Sequence, residues 1–127
     1  MTPQDRRYSK THEWIKIEGD LAVVGITDHA QESLGDVTFV ELPSTGQKVT
    51  QKGECAVIES VKAASDIFSP VSGIVSKIND DLESSPEKIN SDPYDKGWIF
   101  KLRDFNNEEY ETLMDAASYD KFVESEQ

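Results

Sequence analysis

The stretch ECAVIESVKAASDIFSPVSGIVSKI, residues 54–78, decides how the chain is read. Glu54–Ser60 and Ala64–Phe68 are both strand-prone runs, and Val61-Lys62-Ala63 separates them. Two such runs with so short a break between them predict a hairpin with Lys62 at its tip. After the turn wording of Ser69-Pro70-Val71-Ser72-Gly73, Ile74–Ile78 alternates apolar and polar, the pattern of a half-buried strand. An exposed lysine on a hairpin tip is not itself a catalyst. It is an accessible amine, and acylation removes its charge and turns its long stem into a tether. Ala63, Ala64 and Ser65 are small enough to let a modifying enzyme approach.

The same reading extends outward. Trp14–Glu18 and Leu21–Ile26 flank Gly19-Asp20, a second hairpin signal. A short helix is predicted near 28–34, with Thr27 or Asp28 as N-cap, Asp28 and Gln31 at capping-box spacing, and Gly35 as terminator. Val37–Leu42 is a strand ended by Pro43, and Gly46–Val49 a brief further piece. Asn79–Lys96 is rich in Asp, Ser, Pro and Asn and reads as a long surface loop with one turn around Pro86–Ile89. Gly97–Leu102 closes the β region. The tail then changes period: Asn106 or Asn107 caps a helix carrying Tyr110, Leu113 and Met114, and a second helical piece, Tyr119–Glu124, docks on the sheet.

With 127 residues the chain is expected to form one domain, residues 1–127, large enough for a core without staples. Its 13 Lys and Arg against 25 Asp and Glu give a net charge of −12, the wrong sign for nucleic acid or an anionic membrane as main partner. The one cysteine, Cys55, excludes an internal disulfide and reads as a packed strand residue. No run reaches membrane-spanning length, and the N-terminus has no signal-like apolar core, so the expected location is cytoplasmic, or the chain is an already trimmed mature form. No Gly-rich phosphate loop or His-rich metal spacing is present, so no metal site is expected. His12 with Glu13, or Glu59 with Asp66, would be acid–base pairs without a third partner. No catalytic residue is assigned, and the chain is expected not to be an enzyme.

Glu59-Ser60-Val61-Lys62-Ala63, with Asp66, Ser69–Gly73 and Val75, resembles the lipoyl-attachment wording of the glycine cleavage system H proteins. Further segments resemble that family in the same order: Thr11–Trp14, Gly25–Gln31, Leu34–Asp36, Phe39–Pro43, Gly46, Ile89-Asn90, Pro93-Tyr94 and Gly97-Trp98. Together they span roughly residues 8–125. The resemblance implies a mostly β fold, a lipoyl-carrier-type sandwich or flattened barrel (a barrel-sandwich hybrid) with C-terminal helices. It implies lipoic acid carried covalently as N6-lipoyllysine at Lys62. It further implies a carrier that takes the aminomethyl group of glycine from the pyridoxal-phosphate glycine decarboxylase to the aminomethyltransferase and is reoxidised by dihydrolipoamide dehydrogenase, after loading by a lipoate-attaching enzyme. Thr11, Glu13 and Asp66 match family positions lining a cleft where the arm docks, where carboxylates would favour an aminomethyl ammonium. Some members carry a histidine where this chain has Ser33, so an imidazole contact to the arm does not carry over. His29, one turn earlier, reads as a structural residue. A relay passing lipoyl or octanoyl groups to other lipoyl domains is the alternative within the carrier class.

Overall fold

A computed structural model describes residues 2–126. Strand β1 (Arg7–Tyr8) leads into β2 (Glu13–Glu18), which turns at Gly19, φ +61°, into β3 (Leu21–Ile26). Helix α1 (Asp28–Leu34) follows. Its cap is Thr27, whose hydroxyl accepts from the Ala30 amide at 3.2 Å, while Gln31 Nε2 donates to Asp28 Oδ1 at 2.8 Å. Gly35 ends it at φ 78°, ψ −159°, an extended positive-φ geometry rather than the left-handed helical one. Then come β4 (Val37–Glu41), β5 (Lys48–Val49), β6 (Glu54–Ser60), β7 (Ala64–Phe68) and β8 (Gly73–Ile78).

The segment expected to be a surface loop is instead partly built into the core. It contains two single-turn helices, α2 (Asp81–Ser84) and α3 (Lys88–Ser91), which bury Leu82 and Ile89 completely. Strand β9 (Phe100–Arg103) and helices α4 (Asn107–Glu111) and α5 (Ala116–Glu126) complete the order. The side chain of Asn106 caps α4, accepting from the Glu109 amide at 3.0 Å. Leu113 and Met114 fall beyond α4, and Met114 makes an isolated antiparallel bridge with Tyr8.

The strands form two antiparallel sheets that do not close into a barrel: β1-β2-β3-β9-β8-β5 and β4-β6-β7. Ile15, Val24, Ile26, Phe100 and Leu102 from the large sheet meet Val40, Ile58 and Ile67 from the small one in a common core. The outer face of the large sheet is covered as well, which is why Trp14 and Ile15, adjacent on β2, are both buried. Tyr119 of α5 stacks on Tyr8, centroids 4.8 Å apart. Trp14 lies across Gly25, its cross-strand partner, so closely that a Cβ there would come within 2.6 Å of the indole, and Trp14 Nε1 donates to the Pro93 carbonyl at 3.0 Å. Among the described residues no helix is long and apolar enough to cross a membrane.

Candidate functional site

Lys62 sits where the reading placed it, in the turn joining β6 to β7, and is exposed with Val61, Ala63 and Ala64. Two-residue hairpin loops usually need positive φ, yet neither Val61 nor Lys62 adopts it. Ser60 supplies the substitute. Its backbone amide donates to the Ala63 carbonyl at 2.8 Å, and its hydroxyl accepts from the Lys62 and Ala63 amides, both at 3.2 Å. The side chain thus takes the donors that the tight turn would leave unpaired.

The tip is not free-standing. The Val61 amide donates to the Asp36 carbonyl at 3.0 Å, tying the hairpin to the loop after α1. The aliphatic stem of Lys62 lies along Gly35, where a Cβ would sit 3.3 Å from Lys62 Cε and 3.6 Å from Cδ. That loop is held from behind by Asn90, which donates to the Gly35 carbonyl and Gln31 Oε1 and accepts from the Val37 amide, each at 2.9 Å.

Beside the C-terminal end of α1 lies a cleft of about 210 Å³. Thr11, His12, His29, Ser33, Leu34 and Asp66 contribute to its wall. Thr11 and Asp66 are therefore brought together in one wall. Glu13 is placed differently. It is 1% exposed and lies behind Thr11 rather than among the lining residues. Its carboxylate accepts from Ser9 Oγ at 2.6 Å, from Thr11 Oγ1 and from the Phe68 amide at 3.2 Å. Burial pushes its carboxyl above the ordinary value, against the pull of those hydrogen bonds. A larger groove of about 460 Å³ shares Thr11 but runs under Tyr8, Phe68, Leu113 and Met114, with Lys10 and Lys52 at its rim. It offers no carboxylate among its lining residues, whereas the smaller cleft has Asp66 in its wall.

The pair His12–Glu13, weighed as an acid–base couple, does not form. His12 turns toward Tyr119 and Glu126, whereas Glu13 turns toward Ser9 and the Phe68 amide. Cys55 is buried, donates to the Ile67 carbonyl at 3.3 Å, and its thiol is pushed up to about 12 by burial.

Residues 6–126 match the family described as "Glycine cleavage H-protein". The glycine cleavage system H protein of Nitrosomonas eutropha is 56% identical over 125 residues, 98% of this chain and 96% of that one. The one from Symbiobacterium thermophilum is 54% identical over 121 residues, 95% and 94% of the two chains. The chain belongs to the glycine cleavage H-protein family. Its architecture agrees with the crystal structure of a glycine cleavage system H protein from Mycobacterium marinum, with a TM-score of 0.83 at 38% identity, covering 92% of this chain and 94% of that one.

For this H-protein family chain, reading the residues alone missed two features of the site. Asn90, quoted only as part of a motif, is the brace behind the loop that carries Gly35. His29, read as structural, packs against His12 with ring centroids 4.6 Å apart. Neither has a local signal, because the partners of both lie far away in sequence.

Proposed function

We propose that this chain is the lipoylated carrier of a glycine cleavage system, with lipoic acid in amide linkage to Lys62 Nζ. The observation that carries the reading is the course of the Lys62 stem along Gly35. Gly35 adjoins Leu34 and Ser33, both in the wall of the cleft. An acylated stem continuing that course advances about 1.25 Å per bond, roughly 14 Å over some eleven bonds. Asp66 lies three strand residues beyond Ala63, roughly 10 Å at the rise of a β-strand, within that reach. The exposed tip admits a lipoate-attaching enzyme, and the cleft receives the arm.

When bound, the group supplies a cyclic disulfide that accepts the aminomethyl unit on one sulfur while the other becomes a thiol. The chain's own residues do the rest. Lys62 tethers and so raises the local concentration of the reactive end at each partner. Asp66 presents a carboxylate to a cationic amine. Glu13 orients the Thr11 hydroxyl at the rim and holds the 9–13 segment against β7. The reading includes glycine decarboxylase, aminomethyltransferase and dihydrolipoamide dehydrogenase as the partners visited in turn, with the catalysis belonging to them. A relay of lipoyl groups to other lipoyl domains remains the second reading.

The test is intact and peptide mass spectrometry after incubation with lipoate and an active lipoate ligase. One lipoyl unit on Lys62, lost in Lys62→Ala with unfolding otherwise unchanged, is the expected result. Persistent absence of modification overturns the reading. Reconstitution with the three enzymes separates cleavage from relay: glycine-dependent CO2 release that requires the lipoylated chain supports the first.

A further inference from the structure

His12, His29 and Glu126 are far apart in sequence, yet their ligating atoms all lie within 4.8 Å of one another. Three segments bring them together: the loop before β2, helix α1 and the end of helix α5. His12 is held at φ 71°, a conformation uncommon outside glycine, by its amide donating to the Ser9 carbonyl at 3.1 Å and its carbonyl accepting from the Thr27 amide at 3.0 Å. This backbone geometry aims the imidazole into the gap between α1 and α5, with Nε2 3.2 Å from Glu126 Oε2.

We propose that these three side chains form a zinc-type divalent cation site, with the fourth coordination position open toward the cleft. Two imidazoles and one carboxylate are the donor set of three-ligand zinc sites. Tetrahedral bonds near 2.0–2.1 Å place ligand atoms roughly 3.3 Å apart. The His12–Glu126 edge already has that length, and closing the remaining edges needs at most about 1.5 Å of side-chain movement. His29 and Glu126 are less buried than a core residue and have room for it.

The surroundings of His12 fit a ligand. Its Nδ1 lies 2.7 Å from the Tyr119 hydroxyl, which lies 2.7 Å from Thr27 Oγ1. With the cation bound, Nδ1–H donates to Tyr119, the tyrosine hydroxyl donates to Thr27, and Nε2 offers its lone pair to the metal. This is the orienting hydrogen bond that metal-ligating histidines ordinarily make. Without the cation the chain of donors runs the other way, and Nε2–H donates to Glu126. The same atoms serve both forms: the two hydroxyl protons reverse direction, and the ring proton leaves Nε2 while Nδ1 gains one, by exchange with solvent.

The proposal does not depend on lipoylation, so its test uses the untagged, unlipoylated full chain. Titration calorimetry with zinc chloride in a non-chelating buffer is expected to show one saturable site per chain and a rise in Tm. His29→Ala is expected to weaken that site at least about tenfold. Glu126→Gln, at an exposed helix end, is expected to weaken it as well. Nitrogen chemical shifts of the His12 ring are expected to move to those of an Nδ1-protonated, Nε2-ligated imidazole. Absence of a saturable site overturns the proposal, as does binding that His29→Ala leaves at the wild-type strength, since that binding would belong to the acidic surface.

Discussion

Replacing Glu13 by alanine removes a carboxylate that is 1% exposed and accepts from Ser9 Oγ, Thr11 Oγ1 and the Phe68 amide. Thr11 stands at the exposed rim and finds water. Ser9 Oγ and the Phe68 amide are partly buried, and each donor left unpaired costs about 1–3 kcal/mol. The expected loss is therefore about 2–6 kcal/mol, a large part of the 5–15 kcal/mol typical of a folded domain. Glu13→Gln keeps the volume. Its amide can turn so that the oxygen accepts from Phe68 and the NH2 donates to the two hydroxyls, so about 0.5–1.5 kcal/mol is expected. Urea unfolding followed by tryptophan fluorescence measures both. The pH dependence is a second handle. The folded state raises the Glu13 carboxyl above 4.5 and so binds its proton more tightly than the unfolded state. Stability from this group is therefore greatest in acid and declines as pH rises through the window above 4.5. Glutamine does not titrate, so the stability of wild type minus that of Glu13→Gln must shrink as pH rises through that window. A difference that grows with pH, or a loss below about 0.5 kcal/mol for Glu13→Ala, refutes the account.

Gly35→Ala meets both the φ of +78° and the Lys62 stem at 3.3 Å, so a loss of about 1–3 kcal/mol is expected in thermal unfolding, with lipoylation by a ligase retained. Asn90→Ala removes three hydrogen bonds behind the same loop. It is expected to cost about 2–3 kcal/mol and to speed amide hydrogen exchange at Val61, whose acceptor Asp36 loses its support. Leu82→Ala empties a fully buried site in α2 and is expected to cost about 2–5 kcal/mol by urea unfolding, where a surface loop would lose almost nothing.

The hairpins and α1 were legible because their signals are local. Period-two alternation, Gly19-Asp20 and the Thr27 cap each act within a few residues. The tip at Lys62 was legible for the same reason, while its support was not. Gly35 and Asp36 reach it from the start of β4, the strand paired with β6, and Asn90 braces them from a segment read as surface. That misreading is compositional. Residues 79–96 are crowded with Asp, Ser and Pro, and single helical turns carrying one buried residue each, Leu82 and Ile89, make no amphipathic stripe. Glu13 belongs to a third class. A glutamate opening a strand is ordinarily solvated, and its burial is created by the amide of Phe68 on a strand of the other sheet. His12, His29 and Glu126 meet only once α5 has packed on the large sheet, so no spacing in the chain could announce them.

The centre of the large sheet is made of strands synthesised far apart in time. Ala22 of β3 pairs with Leu102 of β9, and β9 in turn pairs with β8. While the chain is still emerging from a ribosome, the 13–26 and 54–68 hairpins can form, since each needs only its own neighbours. The large sheet cannot join across its middle until residues 100–103 have cleared the exit, and Tyr8 waits longer still for Tyr119. The lysine-bearing hairpin is thus among the earliest pieces able to take shape, while the loop at Gly35 gains its brace from Asn90, and α5 its seat, only after most of the chain is made. Such non-local closure slows folding and leaves the open edge of β3 exposed in the meantime. Any enzyme that modifies Lys62 on the nascent chain would find the lysine already presented on a turn, ahead of the cleft beside α1.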